Sequence, residues 1–337
     1  MHTPTPQPAG PNDMLCVVLS FNGYADTVAC LDSLRAVPVP GFDLLVIDNA
    51  SRDDVAARLA AAYPDVELIV SPENLGWAGG NNLGIRLGME RGYRWICLLN
   101  NDTVFPEGQV QAWLDAARAA PPGLLHPAIF YWDEPEIAQL HPDLDADRRA
   151  GYCPADGLPG LARMNFAYGA CLAVHRDVFA RIGVLDERFF LQLEETDFHL
   201  RAERAGFPAL CNPAVRIFHK ESRAFGGTRA AIKTYYSTRN TLLLIEKNVT
   251  GLSAKLGAFK RLYWSLVNLA ASTERVRHVG KLAFLRWLFS RAPSARAVRS
   301  GVADYATRRF GKAPDSFREQ LVSAERLYAE QLDARTS

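Results

Sequence analysis

Long apolar runs are missing from this 337-residue sequence. In the C-terminal region the best uncharged run, 262–273, is 12 residues long, whereas a helix that spans a bilayer needs about 20. Residues 1–13 are Pro-rich and have neither the basic start nor the apolar stretch of a secretory signal, so they read as a flexible tail. Net charge is also nearly absent: 38 Lys+Arg stand against 37 Asp+Glu, a balance of +1. That excludes a uniformly basic nucleic-acid coat and an acidic tail protein. The six cysteines (Cys16, Cys30, Cys97, Cys153, Cys171, Cys211) include no Cys-x-x-Cys pair. They are expected to be buried free thiols in a reducing compartment. These absences predict a cytoplasmic protein.

What is present is enough apolar material for a large core, with 48% hydrophobic, 10% aromatic and 22% charged residues. Apolar runs of strand length recur at 15–20, 43–47, 66–70 and 95–99. Segments of helical composition, such as 27–35 and 53–62, lie between them. This alternation predicts an α/β fold whose mostly parallel sheet is covered by helices on both faces. Ligands in such sheets bind beyond the carboxyl ends of the strands. The residues there are Ser20-Phe21-Asn22, Asp48-Asn49-Ala50-Ser51, Glu73-Asn74-Leu75-Gly76 and Asn100-Asn101-Asp102-Thr103. Asn, Asp and Ser also cap helices and form turns, so each end taken singly reads either way. Four polar ends on one edge favour a binding site.

The segment 74–84 is rich in glycine, but Gly76, Gly79, Gly80 and Gly84 do not fit the G-x-G-x-x-G dinucleotide fingerprint. No Lys follows the last of them, which excludes a P-loop. The glycines suit either a close backbone approach to a ligand at a helix start or a tight strand-to-helix turn. Asp102, at the end of a buried strand, is suited to a hard divalent cation, with the neighbouring amides free for a ribose or for metal-bound water. Helix capping competes with that reading. The run 189–197 holds Glu194, Glu195 and Asp197 among apolar residues. On a helix Glu194 and Asp197 lie near one face, and apolar neighbours raise carboxylate pKa values toward those of a general base. A helix start that favours acids is the alternative. His219 closes a strand predicted at 214–218 and is a candidate metal ligand.

In this order the motifs Ser20-Phe-Asn22, Val46-Ile-Asp-Asn-Ala-Ser51, Asn74-x-Gly-x-x-Gly-Gly-x-Asn82, Leu98-Leu-Asn-Asn-Asp-Thr103, Gly169-Ala-Cys, Leu185-Asp-Glu-Arg-Phe-Phe190, Glu194-Glu-Thr-Asp197 and His219 resemble the family 2 inverting glycosyltransferases of the GT-A fold. They are most similar to its rhamnosyltransferase-like branch, which builds bacterial polysaccharides and cell-wall glycans. The likeness covers residues 14–245 and implies a glycosyltransferase domain there, with a basic helical region at 246–337.

The resemblance implies that Asp48 binds the base of a nucleoside diphosphate sugar, with Ser20, Asn22, Asn74, Gly76, Asn82, Asn100 and Asn101 on the nucleotide-sugar side. Asp102, in the place of the family's Asp-x-Asp motif, and His219 would hold Mg2+ or Mn2+. Glu195 would be the catalytic base of a single inverting displacement. Gly169, Glu194 and Asp197 would lie on the acceptor or sugar side, and Arg239, from an Arg-Asn pair after the core, would contact the diphosphate. The sequence departs from the family pattern at Asn100, where the first acid of Asp-x-Asp is replaced. It also departs at Gln192 and Leu193, where relatives often carry Tyr and an aromatic residue or Gly. The implied donor is dTDP-rhamnose, favoured over a UDP-sugar, and the implied acceptor is a glycan or a lipid-linked glycan.

The overall +1 hides an asymmetry. Residues 1–250 carry 22 Lys+Arg and 30 Asp+Glu, whereas 251–337 carry 16 and 7. Within 251–312 the count is 13 Lys+Arg to two acids, with Tyr263, Trp264, Phe284, Trp287, Leu288 and Phe289 at helical spacing. Such helices suit peripheral contact with the inner face of a cell membrane. They equally suit packing on the catalytic domain or a homodimer interface. No reading motif for a nucleic acid accompanies the charge. Two other functions stand beside the transferase: a nucleotidyltransferase on sugar phosphates, which leaves Glu194 and Glu195 unexplained, and a non-catalytic sugar-nucleotide-binding protein, which would not need Asp102 and Glu195 together.

Overall fold

Four strands begin where the apolar runs predict them: β1 (Met14–Ser20), β2 (Phe42–Asp48), β3 (Glu67–Val70) and β4 (Trp95–Asn100). The helices α1 (Tyr24–Arg35), α2 (Val55–Ala62) and α3 (Gly76–Glu90) connect them. These details come from a computed structural model, which describes residues 13–52, 54–142, 158, 160–220, 230–274, 276–277 and 279–336. All of the expected tail except Asp13 therefore lies outside the described residues, as does Cys153.

The four strands pair in parallel in the order β3-β2-β1-β4. All seven residues of β1 are buried, so its run is continuously apolar instead of alternating. Gly80, Gly84 and Gly88 form one stripe of α3, at i, i+4 and i+8. A Cβ on Gly84 would come within 2.4 Å of Val17 Cγ1, and one on Gly80 within 2.5 Å of Leu19 Cδ1. These positions serve close helix–sheet packing, which neither reading of the glycine-rich segment included.

The chain continues through β5 (Thr103–Val104), α4 (Gln109–Ala119), β6 (Leu124–Tyr131), β7 (Ala138–Leu140), β8 (Ala162–Arg163), β9 (Cys171–His175), α5 (Arg176–Ile182), α6 (Glu194–Arg204) and β10 (Ala209–His219). The sheet extends as β4-β9-β6-β10-β5. β6 and β10 are parallel, while β9 runs antiparallel to both β4 and β6. The expected parallel pattern thus describes the first half, and β9 makes the second half mixed. The described thiols Cys16, Cys30, Cys97, Cys171 and Cys211 are free and buried. Burial pushes Cys30 and Cys211 up to about 12, which leaves them inert.

The chain divides into two compact units, residues 1–185 with 198–224, and residues 186–197 with 225–337. The sequence places the change of domain at 245, whereas this division falls near 225 and assigns the acidic segment to the second unit. That unit contains α7 (Ala231–Asn248), α8 (Leu252–Thr273), α9 (Lys281–Leu288), α10 (Pro293–Ala306) and α11 (Asp315–Thr336). One core cluster gathers Tyr235, Tyr236, Ala297 and Leu321; another gathers Val267, Ala270, Phe284, Trp287 and Val298. A Cβ on Gly301 would approach Tyr235 O to 2.8 Å, so this glycine lets α10 lie close to α7. Among the described residues no helix is long and apolar enough to cross a membrane.

Candidate active site

The parallel register places the polar strand ends of the first unit side by side, with Ser20 opposite Asp48 and Leu19 opposite Asn100. Asp48 is 1% exposed; its Oδ1 accepts from the Ser51 N–H at 2.9 Å, and its buried Oδ2 has no hydrogen-bond partner. A buried carboxylate oxygen without a donor is costly, and a ligand N–H would satisfy it. Asn22 takes a left-handed conformation, φ 57°, that suits Asn; its N–H donates to Ser51 Oγ and its Oδ1 accepts from the Arg52 N–H. These bonds link the loops after β1 and β2.

Asn49, which the sequence did not single out, links the next loop. Its Oδ1 accepts from the Leu75 N–H at 2.9 Å and its Nδ2 donates to Gly76 O at 3.0 Å and Asn74 Oδ1 at 3.3 Å. Gly76 opens α3 at φ 73°, a conformation that glycine adopts without steric cost. Trp77 Nε1 donates to Asn100 Oδ1 at 2.9 Å, and the Trp77 ring lies where a Cβ on Gly169 would meet it at 3.1 Å. Asn100 and Gly169 are thereby joined through one indole.

Two expected ligand contacts are corrected here. Asn82 is fully buried, and its amide donates to Leu185 O at 3.0 Å and accepts from the Leu185 N–H at 3.1 Å. It therefore anchors the chain ahead of residue 186 instead of touching a nucleotide. Ser20 is also fully buried. The Thr27 hydroxyl donates to Gly23 O, so it accepts from Ser20 Oγ at 2.9 Å and from Asn101 Nδ2 at 2.8 Å. Ser20 thus acts through Thr27, which orients Asn101.

Asp102 and His219 are 117 positions apart in sequence and meet because β5 pairs antiparallel with the end of β10, with Thr103 opposite His219. His219 Nε2 lies 3.2 Å from Asp102 Oδ1, both groups are buried, and this nitrogen has no hydrogen-bond partner. On the other side of the ring Nδ1 is 2.6 Å from Gln139 Oε1. The orientation of Gln139 is set by its Nε2, which donates to His219 O at 3.1 Å, and by Tyr168 Oη, which donates to its Oε1 at 3.2 Å. An amide oxygen only accepts, so Nδ1 carries the hydrogen, and in the neutral ring Nε2 presents a lone pair beside the carboxylate.

That orphaned nitrogen and the hard carboxylate oxygen fit a divalent cation such as Mn2+ or Mg2+. Among the described residues no group of three or more His, Cys, Asp or Glu gathers at one point, so the remaining coordination positions would fall to ligand oxygens and water. Gln139 is the residue that sequence reasoning missed, since nothing in a lone Gln marks it.

In the second unit the acids open α6, where three carboxylates in the first turn complement the helix dipole. Glu194 is buried with Oε2 unpartnered, and burial together with the Glu195 charge pushes its carboxyl well above the usual range. Burial raises Glu195 as well. Asp197 is a correction: it is fully buried, paired with Lys247 Nζ at 2.8 Å and bonded by Asn248 Nδ2 at 2.9 Å, which removes it from the acceptor side.

Arg239 is corrected too. It is 1% exposed and donates to Gly311 O (2.8 Å), Arg188 O (3.1 Å), Phe189 O (3.1 Å), Tyr235 Oη (3.3 Å) and Asn240 Oδ1 (3.0 Å). A guanidinium has five N–H donors, and none is left for a diphosphate. Asn240 Nδ2 adds bonds to Phe189 O, Leu191 O and Gln192 O at 2.7–2.8 Å. The turn they hold contains Phe190, Gln192 and Leu193 at φ 61°, 74° and 72°, immediately before Glu194. Non-glycine residues in that region cost roughly 1 kcal/mol or more each and persist only where the surroundings over-determine them. Arg239 and Asn240 supply that constraint.

The model of the family "Glycosyl transferase family 2" matches residues 16–183. The low-salt glycan biosynthesis hexosyltransferase Agl10 of Haloferax volcanii is 25% identical over 238 residues, covering 69% of this chain and 75% of that protein. The N-acetylglucosaminyl-diphospho-decaprenol L-rhamnosyltransferase of Mycobacterium tuberculosis is 27% identical over 243 residues, 65% of this chain and 79% of its own. Among solved structures, the mannosyltransferase PcManGT of Pyrobaculum calidifontis, in complex with GDP-Man and Mn2+, superposes with a TM-score of 0.54 at 16% identity, over 95% of this chain and 88% of that one. Family model, relatives and fold agree with the strand-end chemistry, and the chain belongs to glycosyl transferase family 2 as an inverting hexosyltransferase of GT-A fold.

Proposed function

We propose that this glycosyltransferase is metal-dependent and moves rhamnose from dTDP-rhamnose, in preference to a sugar from a UDP donor, to a glycan or lipid-linked acceptor in polysaccharide or cell-wall biosynthesis in the cytoplasm. The observation that carries the metal dependence is His219 Nε2, buried without a hydrogen-bond partner, 3.2 Å from Asp102 Oδ1. Asp102 and His219 are the residues that would hold Mg2+ or Mn2+. When bound, the cation neutralises the charge that develops on the departing diphosphate. The name of the mycobacterial relative supports rhamnose and a lipid-linked acceptor, and the PcManGT complex supports a divalent ion.

Asp48 offers its unpartnered Oδ2 to an N–H of the nucleotide base, with Asn22, Asn74 and Gly76 on the same nucleotide side. Glu195 takes the proton of the acceptor hydroxyl as that oxygen attacks the anomeric carbon. The nucleoside diphosphate leaves from the opposite face with the bonding pair, so the anomeric centre inverts in one displacement. A carboxylate raised by burial is the stronger base for this step.

The test is turnover of a panel of nucleotide sugars with Mn2+ or Mg2+, with Glu195→Gln as control. The expected result is slow hydrolysis of dTDP-rhamnose by the wild type and, in the variant, binding with turnover reduced about 10²- to 10⁴-fold. Absence of nucleotide-sugar binding in the presence of metal would overturn the reading. Full transfer by Glu195→Gln would remove Glu195 as the base.

A further inference from the structure

The aromatic residues that suggest a membrane contact in the sequence are largely used elsewhere. Phe284 and Trp287 are buried in the second unit's own core, and Tyr263 and Leu288 pack against it. Tyr263 and Phe284 meet ring to ring, with centroids 5.4 Å apart. Trp264 and Phe289 of that set stay exposed, and further apolar residues are bare with them. Leu252, Leu256 and Phe259 are exposed on α8, Leu252 at 76%. At i, i+4 and i+7 they share one side of the helix. That same side, continued through Tyr263, Val267 and Ala270, is covered by α9 and α10 over the second half of α8 and uncovered over the first.

On α9, Leu282, Leu285 and Phe289, the last just past the helix end, are exposed, at 64%, 49% and 75%. Their spacing of i, i+3 and i+7 puts them on the side of the helix opposite the buried Phe284 and Trp287. The two stripes carry large apolar side chains that the unit's packing does not use.

The charges beside them identify the occupant. Neither α8 nor α9 contains an Asp or Glu, and they bear Lys255, Lys260, Arg261, Lys281 and Arg286. None of these five cations makes an ion pair among the described residues. A second copy seated on this face would set like charges against one another. A surface of anionic headgroups over acyl chains answers both features, since the leucines and phenylalanines enter the headgroup boundary while the cations meet the phosphates.

We infer, independently of the reaction above, that the stripes Leu252-Leu256-Phe259 and Leu282-Leu285-Phe289, with their flanking cations, form a docking face for an anionic lipid bilayer. The full chain is sedimented with vesicles of phosphatidylcholine alone or with phosphatidylglycerol added, and its association state is followed by light scattering. The wild type is expected to bind the anionic vesicles, more weakly at high salt, and to leave the neutral ones. The double variant Leu256→Ser with Phe259→Ser, and separately Leu285→Ser with Phe289→Ser, lose roughly tenfold or more in partitioning. Lys260→Glu with Arg261→Glu does the same. All six positions are exposed, so unchanged circular dichroism and nucleotide affinity show that the variants remain folded. Wild-type protein that ignores anionic vesicles overturns the inference. So does undiminished binding by the variants, or a dimer in solution that the serine variants dissociate.

Discussion

His219 and Gln139 hold one another in both directions: Nδ1 of the imidazole lies 2.6 Å from Gln139 Oε1, and Gln139 Nε2 donates to the carbonyl of His219 at 3.1 Å. The reciprocal bonds fix which ring nitrogen carries hydrogen and which faces Asp102. Partners of this kind set the orientation and basicity of a metal-binding histidine.

Replacing Gln139 with Leu is therefore expected to weaken Mn2+ binding about 10- to 100-fold without unfolding the sheet. Electron paramagnetic resonance of Mn2+ with UDP present measures the affinity directly, apart from turnover. Gln139→Glu keeps an acceptor for Nδ1 and should restore part of the loss. Equal Mn2+ affinity in wild type and Gln139→Leu would show that His219 needs no such support.

Asp48 presents a buried oxygen without a donor. Asp48→Asn retains Oδ1 for the Ser51 N–H but replaces the charged acceptor with an NH2 group. The expected loss in dTDP or UDP affinity is about tenfold or more, as for a hydrogen bond to a charged group. Isothermal titration in Mn2+ checks it. An unchanged Kd would reduce Asp48 to a turn former.

The acid limb of the pH–rate profile tests Glu195. As the base it works only when ionised, and burial raises its pKa above the ordinary 4.5 of glutamate. Activity should therefore rise with pH through a value above 4.5 and fall away below it. Glu194, raised by its own burial and by the Glu195 charge, keeps its proton to higher pH still than an ordinary glutamate. Glu194→Gln should leave the limb in place, and a limb that vanishes in this variant would move the titration to Glu194.

Arg239→Lys removes a planar fork that meets backbone carbonyls from two segments. Those carbonyls stay buried without their donors, so urea unfolding should show a loss of about 2–4 kcal/mol. Nucleotide affinity of the folded variant should not change. A selective loss of diphosphate binding at full stability would return Arg239 to the ligand.

Much of the first half of the sheet is legible in the chain itself. The continuous apolar runs of β1 and β4 mark strands covered on both faces, and the alternation with helices implies their parallel order. The antiparallel strand β9 carries a similar apolar run, and no local signal states its direction, because direction depends on how the chain returns to the sheet.

The sequence by itself determined which chemistries stand at the strand ends, because local apolar patterning fixes where each strand stops and which residue follows it. It also determined that acids collect at 194–197 and cations beyond 251. Only the tertiary structure decided which of those polar groups keep an unused valence. Asn82, Asp197 and Arg239 looked as available as Asp48 and His219, yet their partners, Leu185, Lys247 and the 188–189 carbonyls, arrive from 50 to 103 positions away. A hydrogen bond is satisfied by whatever the fold brings within about 3 Å, and sequence spacing carries no record of that. The same holds for the bare leucines of α8: Tyr263, Val267 and Ala270 continue their stripe and are covered by other helices, whereas Leu252 and Leu256 are not.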